Sequence, residues 1–121
     1  MAEIVNYVVH NKIDNDKFSS VHVGANLYAF SAVTLAYTAA IQQANLEFRG
    51  HNLTPEEAAI CDFVVVKSGP EQGLFYSLEE QNKLVSLLKA KVNFIELPEK
   101  FLMPDDSYVT IYKKVNYPTL K

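Results

Sequence analysis

The sequence predicts a single α/β domain over residues 1–121, a small mixed four-stranded sheet covered by helices in the order β-α-(α)-β-α-β-β. Three observations carry this prediction. Segments with the two-residue period of strands alternate with segments that have the helical period. Residues 63–66 are apolar throughout, which is typical of a strand that is buried on both faces. Residues 54–57 and 77–80 both have the capping pattern that begins helices.

Composition and charge favour an ordinary globular protein. The chain has 121 residues, 49% hydrophobic and 21% charged, which suits one domain with its own core. The net charge of −3 argues against a general nucleic-acid binder but not against a local basic site. The single cysteine, Cys61, excludes an intrachain disulfide and weakly favours a reducing compartment. The first residues lack a signal-peptide pattern, so we expect a cytoplasmic protein.

The first half of the chain is predicted as a strand, a loop and a long helix. Residues 4–10 are rich in β-branched and aromatic side chains and predict a strand. A polar loop follows over residues 11–17, and Ser19 or Ser20 is expected to cap a helix from residue 21 to about residue 43. Polar side chains interrupt this helix, so we expect no membrane span.

The predicted long helix has two apolar faces, whereas a surface helix needs one. At 100° per residue its bulky side chains fall on one side: Val23, Leu27, Phe30, Tyr37 and Ile41. Small side chains fall on the other: Val21, Ala25, Ala29, Ala32, Ala36 and Ala39. The alanine face fits either a second helix of the same chain or a homodimer across a two-fold axis, and we lean to the dimer.

The second half of the chain has clearer boundaries. We expect a connector over residues 45–52, a short helix that opens at Thr54 and ends near Ile60, and a strand over residues 61–67. The capping pattern at residues 77–80 opens a helix with one apolar stripe. A short strand over residues 94–97, a loop bounded by two prolines and a last strand over residues 108–115 complete the prediction. The last strand follows a short loop and is expected to run antiparallel.

Three segments together resemble one known family. Residues 16–25, 63–67 and 103–110 are similar to the loop–helix, valine-rich strand and proline turn of the archaeal and eukaryotic type of peptidyl-tRNA hydrolase and its uncharacterised bacterial relatives. The resemblance implies that fold, and a dimer built partly by the first long helix. Lys17 falls at the family's functional lysine, but Val21 and Gly24 stand where the family has glutamine and histidine. The catalytic motif is therefore not retained, which argues against the standard hydrolase activity, and a local contact with tRNA is the one nucleic-acid contact that the resemblance leaves open.

The first strand-to-helix turn is the candidate binding site. Ligands of open α/β sheets bind beyond the carboxyl ends of parallel strands, and a helix N-terminus suits an anion. The predicted ligand-binding residues are Lys12, Lys17, Ser19, Ser20 and His22. The alternative is that a serine only caps the helix and that the lysines are solvated.

Catalytic, metal and cofactor assignments are weaker. Lys17, His22 and His10 are the only catalytic candidates, and His22 is more readily explained as a structural histidine. Cys61 is expected to be a core thiol. No spacing of ligand residues predicts a metal site, and no cofactor is expected.

Three functions remain open at this point. The first is a non-catalytic or divergent dimer that binds a small anionic, nucleotide-like ligand. The second is an interaction module that binds another protein through the alanine face. The third is a hydrolase of aminoacyl- or peptidyl-tRNA or a related ester. Fold analogy alone does not choose among them.

Overall fold

The computed structural model describes residues 2–12, 19–24, 32–42, 44–49, 55–58, 60–69, 72, 78–90, 93–103 and 106–115. The helices within these residues are α1 (Ala2–His10), α2 (Ala32–Ile41), α3 (Pro55–Ala58) and α4 (Leu78–Ala90). The strands are β1 (Ser19–Val23), β2 (Leu46–Arg49), β3 (Phe63–Lys67), β4 (Phe94–Leu102) and β5 (Tyr108–Lys114). The α/β class is confirmed.

All five strands form one mixed sheet in the order β2-β1-β3-β5-β4. β1 pairs in parallel with β2 and with β3, and β5 pairs antiparallel with β3 and with β4. The mixed sheet and the antiparallel last strand are confirmed. The predicted count of four strands is wrong, because the described residues contain five.

Two apolar clusters hold helices on the two faces of the sheet. Cluster one joins α1 and α2 to the sheet through residues that include Val5, Val8 and Leu35. Cluster two joins α3 and α4 to the other face through Ala58, Leu84 and Leu88. Alternating residues of β3 contribute to the two clusters, which explains why this strand is apolar throughout.

The chain reverses direction within the sheet after β2. It leaves β1 toward β2 with α2 on the face of cluster one, and then returns past β1 to β3 with α3 on the face of cluster two. The crossover from β3 to β4 continues in that second direction, with α4 on the same face as α3. When the chain changes its direction across the sheet, the crossover helix also changes to the other face. The three crossovers therefore have the same handedness, as parallel β-α-β units do.

Residues 4–10 belong to helix α1, and the predicted strand is wrong. Ile4, Val5 and Val8 are the buried residues of this segment, which is a helical spacing. Glu3 lies in the first turn, and His10 Nδ1–H donates to Asn6 O at 2.8 Å in the last turn. The β-branched composition indicated a strand, but the burial of one helical face decided the structure.

The predicted long helix is divided in the structure. Ser19–Val23 form strand β1, so neither Ser19 nor Ser20 is a helix cap. Val21 and Val23 point into cluster one, and His22 between them points to the other face, which is a strand period. The helix of this region begins at Ala32. A continuous apolar run concealed the change of period.

Two further boundaries differ from the sequence prediction. The predicted connector over residues 45–52 contains strand β2, which lies at one edge of the sheet. The predicted short strand over residues 94–97 continues through Pro98 to Leu102. β4 is the opposite edge strand, with a register shift between Glu96 and Lys100, and edge strands with such irregularities accept proline.

Other elements lie where the sequence predicted them. β3 is buried at every residue. α3 begins at Pro55, the predicted first helical residue, but it ends at Ala58, before the predicted end near Ile60. α4 presents Leu84 and Leu88 to cluster two, as its apolar stripe indicated. The observed order begins with a helix and has five strands, so the peptidyl-tRNA hydrolase type is not confirmed. Among the described helices, none has the length and apolar character to cross a bilayer.

Candidate ligand-binding site

Three predicted binding residues lie at the amino-terminal edge of the parallel strands. The Ser19 N–H and Lys12 Nζ both donate to Asn45 O, at 3.1 and 2.9 Å. The Ser20 N–H donates to Asp62 Oδ2 at 2.9 Å, and Ser20 Oγ accepts from the Asp62 N–H at 3.1 Å. These contacts join the beginnings of strands. The expected helix N-terminus is not there, and ligand binding by these residues stays a prediction.

The histidine candidates occupy different environments, and Lys17 lies outside the described residues. His10 is exposed at the end of α1. His22 is 3% exposed, and its Nδ1 has no hydrogen-bond partner in the described part of the chain. Burial lowers the pKa of His22 to about 4, so the ring is neutral at pH 7. This burial fits the structural interpretation, because a substrate has no direct approach to the ring.

The predicted alanine interface is not one continuous surface. Ala36 of α2 is exposed, whereas Ala39 is 2% exposed and packs in cluster one. Ala32 begins α2, and Ala25 and Ala29 lie outside the described residues. The homodimer stays a prediction, and Ala39 does not offer a surface for it.

The carboxyl ends of β1 and β3 mark the topological switch point of the sheet. α2 follows β1 on the face of cluster one and α4 follows β3 on the face of cluster two, so the chain leaves these two neighbouring carboxyl ends toward opposite faces. Gly24 follows β1, and its N–H donates to Val65 O at 2.9 Å. Such a crevice is the usual ligand position of an open α/β sheet. Sequence reasoning applied this rule to the opposite edge, because it placed the first strand too early.

Gln81 of α4 connects the two diverging strand ends. With its amide nitrogen turned toward Gly24, Gln81 donates to Gly24 O at 3.2 Å and accepts from the Lys67 N–H at 3.1 Å. A Cβ atom at Gly24 would lie 2.5 Å from this amide, so a larger residue there would displace the end of the Gln81 side chain. The contact fixes the first turns of α4 against the switch point.

Gln72 and Gly69 shape the turn after β3. Gln72 Nε2 donates to Lys67 O at 2.8 Å and to Gly69 O at 2.7 Å. Gln72 is 1% exposed, and its Oε1 has no hydrogen-bond partner within the described ranges. Gly69 has a φ of 86°, a left-handed conformation that favours glycine. A buried amide therefore holds the turn at the carboxyl end of β3.

Lys67 is the most deeply buried charged residue described. It is 1% exposed at the last position of β3, and its Nζ donates to Ser68 O at 3.4 Å. Buried lysines are rare because removing the ammonium from water is costly. The sequence contained a signal for this residue, since Lys67 ends a strand whose other residues are apolar. A lysine after an apolar run predicted the end of a strand, and it did not predict a binding site.

A groove of about 290 Å³ begins at Ser68 and Gly69 and continues between α4 and the β5–β4 pair. We call it the α4–β5 groove. Its walls include Asn82, Val85 and Lys89 of α4 and Glu96, Lys100 and Thr110 of the two strands. Its volume is at the lower end of the range for small-molecule sites, and its lining mixes apolar and polar side chains as such sites do.

A charged network lines the strand side of the α4–β5 groove. Lys100 Nζ donates to Glu96 Oε2 at 2.7 Å and to Thr110 Oγ1 at 3.3 Å. The hydrogen bond from Lys100 is the main reason that the pKa of Glu96 lies below its usual value, and the Lys89 charge adds to it. Burial raises the pKa of Tyr112 to about 12, and the neighbouring Glu96 carboxylate adds to this effect. Two ammonium groups thus face one carboxylate.

The described residues offer little for covalent or metal chemistry. Cys61 is buried, and burial is the largest cause that raises its pKa, so the protonated thiol is a poor nucleophile. No group of three potential metal ligands occurs within the described residues.

Comparison with known proteins gives no relative. The chain matches no family model, no curated protein and no solved structure.

Proposed function

We propose that the protein is a small-molecule-binding α/β domain that holds an anionic ligand in the α4–β5 groove. The observation that carries the proposal is the pair of ammonium groups, Lys89 and Lys100, on opposite walls of a groove that opens at the carboxyl edge of the sheet. This keeps the anionic ligand expected from the sequence and moves its site away from the first predicted turn.

The charge of the groove supports an anion. On α4 and the β5–β4 pair, Lys89 and Lys100 outweigh Glu96 by one positive charge, and Lys67 of β3 also lines the groove, although the whole chain has a net charge of −3. The Lys100 and Glu96 side chains are 44% and 40% exposed, and ion pairs at that exposure contribute about 0–1 kcal/mol. An incoming anion can therefore recruit Lys100 at a small cost.

Hydrogen-bonding groups around the lysines support the same proposal. Asn82 and Thr110 line the groove, and Ser68 lines its end beside β3. The Ser68 N–H donates to Tyr108 O, and Ser68 Oγ accepts from the Tyr108 N–H, both at 2.8 Å. These backbone contacts fix this end, so a ligand would enter a largely formed site.

Titration calorimetry with inorganic phosphate and with acetate at low ionic strength tests this function. We expect Lys89→Ala and Lys100→Ala each to weaken binding by roughly tenfold, because each removes a charged hydrogen-bond donor. Lys113→Ala is the matched control, since Lys113 alternates with the groove residues of β5 and faces away from them. Equal affinity in all three variants and in the original protein would exclude this site.

A further inference from the structure

Two large apolar side chains are exposed next to the α4–β5 groove. Leu102 is 65% exposed and Tyr108 is 49% exposed, and they are register partners at the end of the β4–β5 ladder. Single exposed apolar residues are common and need no explanation. A leucine and an aromatic residue paired across two strands at the opening of a polar groove make a defined apolar surface.

The apolar pair shares its sheet face with the charged network. Side chains alternate along β5, so Tyr108, Thr110 and Tyr112 lie on one face, and the last two line the groove. Their register partners on β4 are Leu102, Lys100 and Glu96. The face therefore has an apolar row, a cationic row and an acidic row in succession. Along β5 adjacent rows are two residues, about 7 Å, apart, and Leu102 and Lys100 of β4 have the same spacing.

We propose that the ligand of the α4–β5 groove is an aromatic anion, whose ring lies on Leu102 and Tyr108 while its charged group binds Lys100 and Lys89. This rests on the proposed anion-binding function and names the ligand class. The distance between the apolar and cationic rows matches one aromatic ring with its anionic substituent.

An aromatic ligand fits better than a purely polar one. An aromatic ring can pack edge-on or offset against Tyr108, and Leu102 adds apolar area beside it. A small polar anion would leave both side chains in water. The site is also complementary in charge to an anion, and its volume of about 290 Å³ suits a small molecule.

The test compares methyl phosphate with phenyl phosphate, which carry the same anionic group and differ in the ring. We expect phenyl phosphate to bind roughly three- to tenfold more tightly, the range that an aromatic contact provides. Tyr108→Ala and Leu102→Ser should each reduce this preference toward one. The Tyr108 hydrogen bonds to Ser68 use backbone atoms, so neither substitution removes them. Ile95→Ala is the matched control, because Ile95 is 43% exposed on the other face of β4.

Each result has a defined meaning. Methyl phosphate binding without a preference for phenyl phosphate would overturn the aromatic ligand and leave the anion site in place. A preference that survives in Tyr108→Ala and Leu102→Ser would place the ring elsewhere and overturn the inference as well. If neither phosphate binds, the proposed function fails and the inference fails with it. Sedimentation of the original protein and of Tyr108→Ala tests for a dimer at this surface. If only the original protein dimerises, a second copy of the chain covers Leu102 and Tyr108, and the aromatic ligand is overturned.

Discussion

The two edges of the parallel strands use similar residues in different ways. At the amino edge, backbone and side-chain groups satisfy one another: Ser20 and Asp62 exchange hydrogen bonds, and Lys12 donates to Asn45 O. At the carboxyl edge, the strands diverge, and Gln81 connects them without filling the space beside Lys100. The amino edge is closed, whereas the carboxyl edge opens into a groove.

The difference teaches that polar residues near a turn do not identify a site by themselves. Lysine and serine occur at both edges, and their effect depends on whether neighbouring groups already use their hydrogen-bonding capacity. A closed edge contributes to stability. At an open edge with opposed charges, a ligand can replace an internal contact such as the one between Lys100 and Glu96. Substitutions at the amino edge should therefore alter unfolding, and substitutions in the groove should alter binding.

The largest expected effect is at His22, the fourth of the five residues of β1. The folded protein keeps His22 neutral because burial lowers its pKa to about 4, whereas the unfolded chain binds a proton near pH 6.5. The unfolded state thus gains the proton first as the pH falls. The His22 contribution to the free energy of unfolding is present above pH 6.5 and is lost progressively toward pH 4. The total loss is about 3 kcal/mol.

Chemical denaturation from pH 7 to pH 4 measures this effect as a difference between the original protein and His22→Leu. The carboxylates contribute to both proteins and cancel in the difference. His10→Gln is the control, because His10 is exposed, and it should keep the pH dependence of the original protein. If the free energy of unfolding changes with pH by the same amount in the original protein and in His22→Leu, the His22 ring is hydrated in the folded state.

Gly24→Ala should have the next largest effect. The new Cβ atom would lie 2.5 Å from the Gln81 amide and displace the side chain that connects β1 to β3. We expect a loss of about 2 kcal/mol in the free energy of unfolding, because the displaced Gln81 amide loses its two hydrogen bonds, each contributing about 1 kcal/mol. Thermal or denaturant unfolding measures it.

The double variant Gly24→Ala/Gln81→Ala provides the control for this clash. Removing the Gln81 side chain makes room for the new methyl group, so the two substitutions should destabilise less together than the sum of the single variants. Strict additivity would mean that the cost of Gly24→Ala arises in the backbone and not from Gln81.

The sequence predicted well the helices and strands whose hydrophobic pattern fits only one type of secondary structure. β3 is continuously apolar, and α4 has both a capping pattern and an apolar stripe. In contrast, the valines of α1 suit either period, and the apolar residues after Val21 concealed the end of β1 at Val23. Because the first strand was assigned to residues 4–10, the rule for the carboxyl ends of parallel strands was applied after residue 10. The predicted site residues Lys12, Ser19 and Ser20 lie at the amino edge of the observed sheet.

At the amino edge, Asp62→Ala should destabilise the protein by about 1–2 kcal/mol. Asp62 Oδ2 accepts from the N–H of Ser20 at 2.9 Å, and its loss leaves a partly buried donor without its acceptor. Ligand affinity should stay unchanged, because Asp62 is at the opposite edge from the groove. Denaturant unfolding and phosphate titration of one variant measure both quantities. Glu47→Ala, an exposed carboxylate on β2, should change neither.

The groove itself could not be predicted from sequence because it depends on register and helix rotation. Lys100 and Glu96 approach each other through the irregular register of β4. Lys89 reaches the same place from a different element, since α4 packs with Leu84 and Leu88 against cluster two. The sequence placed Lys89 in a helix and Glu96 in a strand, but it placed Lys100 in the loop bounded by two prolines. Their convergence is a tertiary property.

The smallest expected effect is the most specific for the open edge. Glu96→Gln removes the negative charge that faces Lys100 and Lys89 and keeps a side chain of nearly the same shape. An anion should then bind several-fold more tightly, the opposite direction to Lys89→Ala, because the lysines no longer share their charge with a carboxylate. Stability should change by less than about 1 kcal/mol, since the pair with Lys100 is exposed.

Phosphate titration at two salt concentrations measures this change. The gain from Glu96→Gln should shrink at high salt, because ions screen charges at partly exposed positions. The Glu99→Gln variant is the matched control. Glu99 is an exposed carboxylate of the same strand, its backbone N–H donates to Tyr7 Oη at 3.1 Å, and its side chain does not line the groove. A tighter complex in both variants would assign the gain to the overall charge of the chain. A tighter complex in Glu96→Gln alone would assign it to the groove, because only that carboxylate competes with the ligand for Lys100.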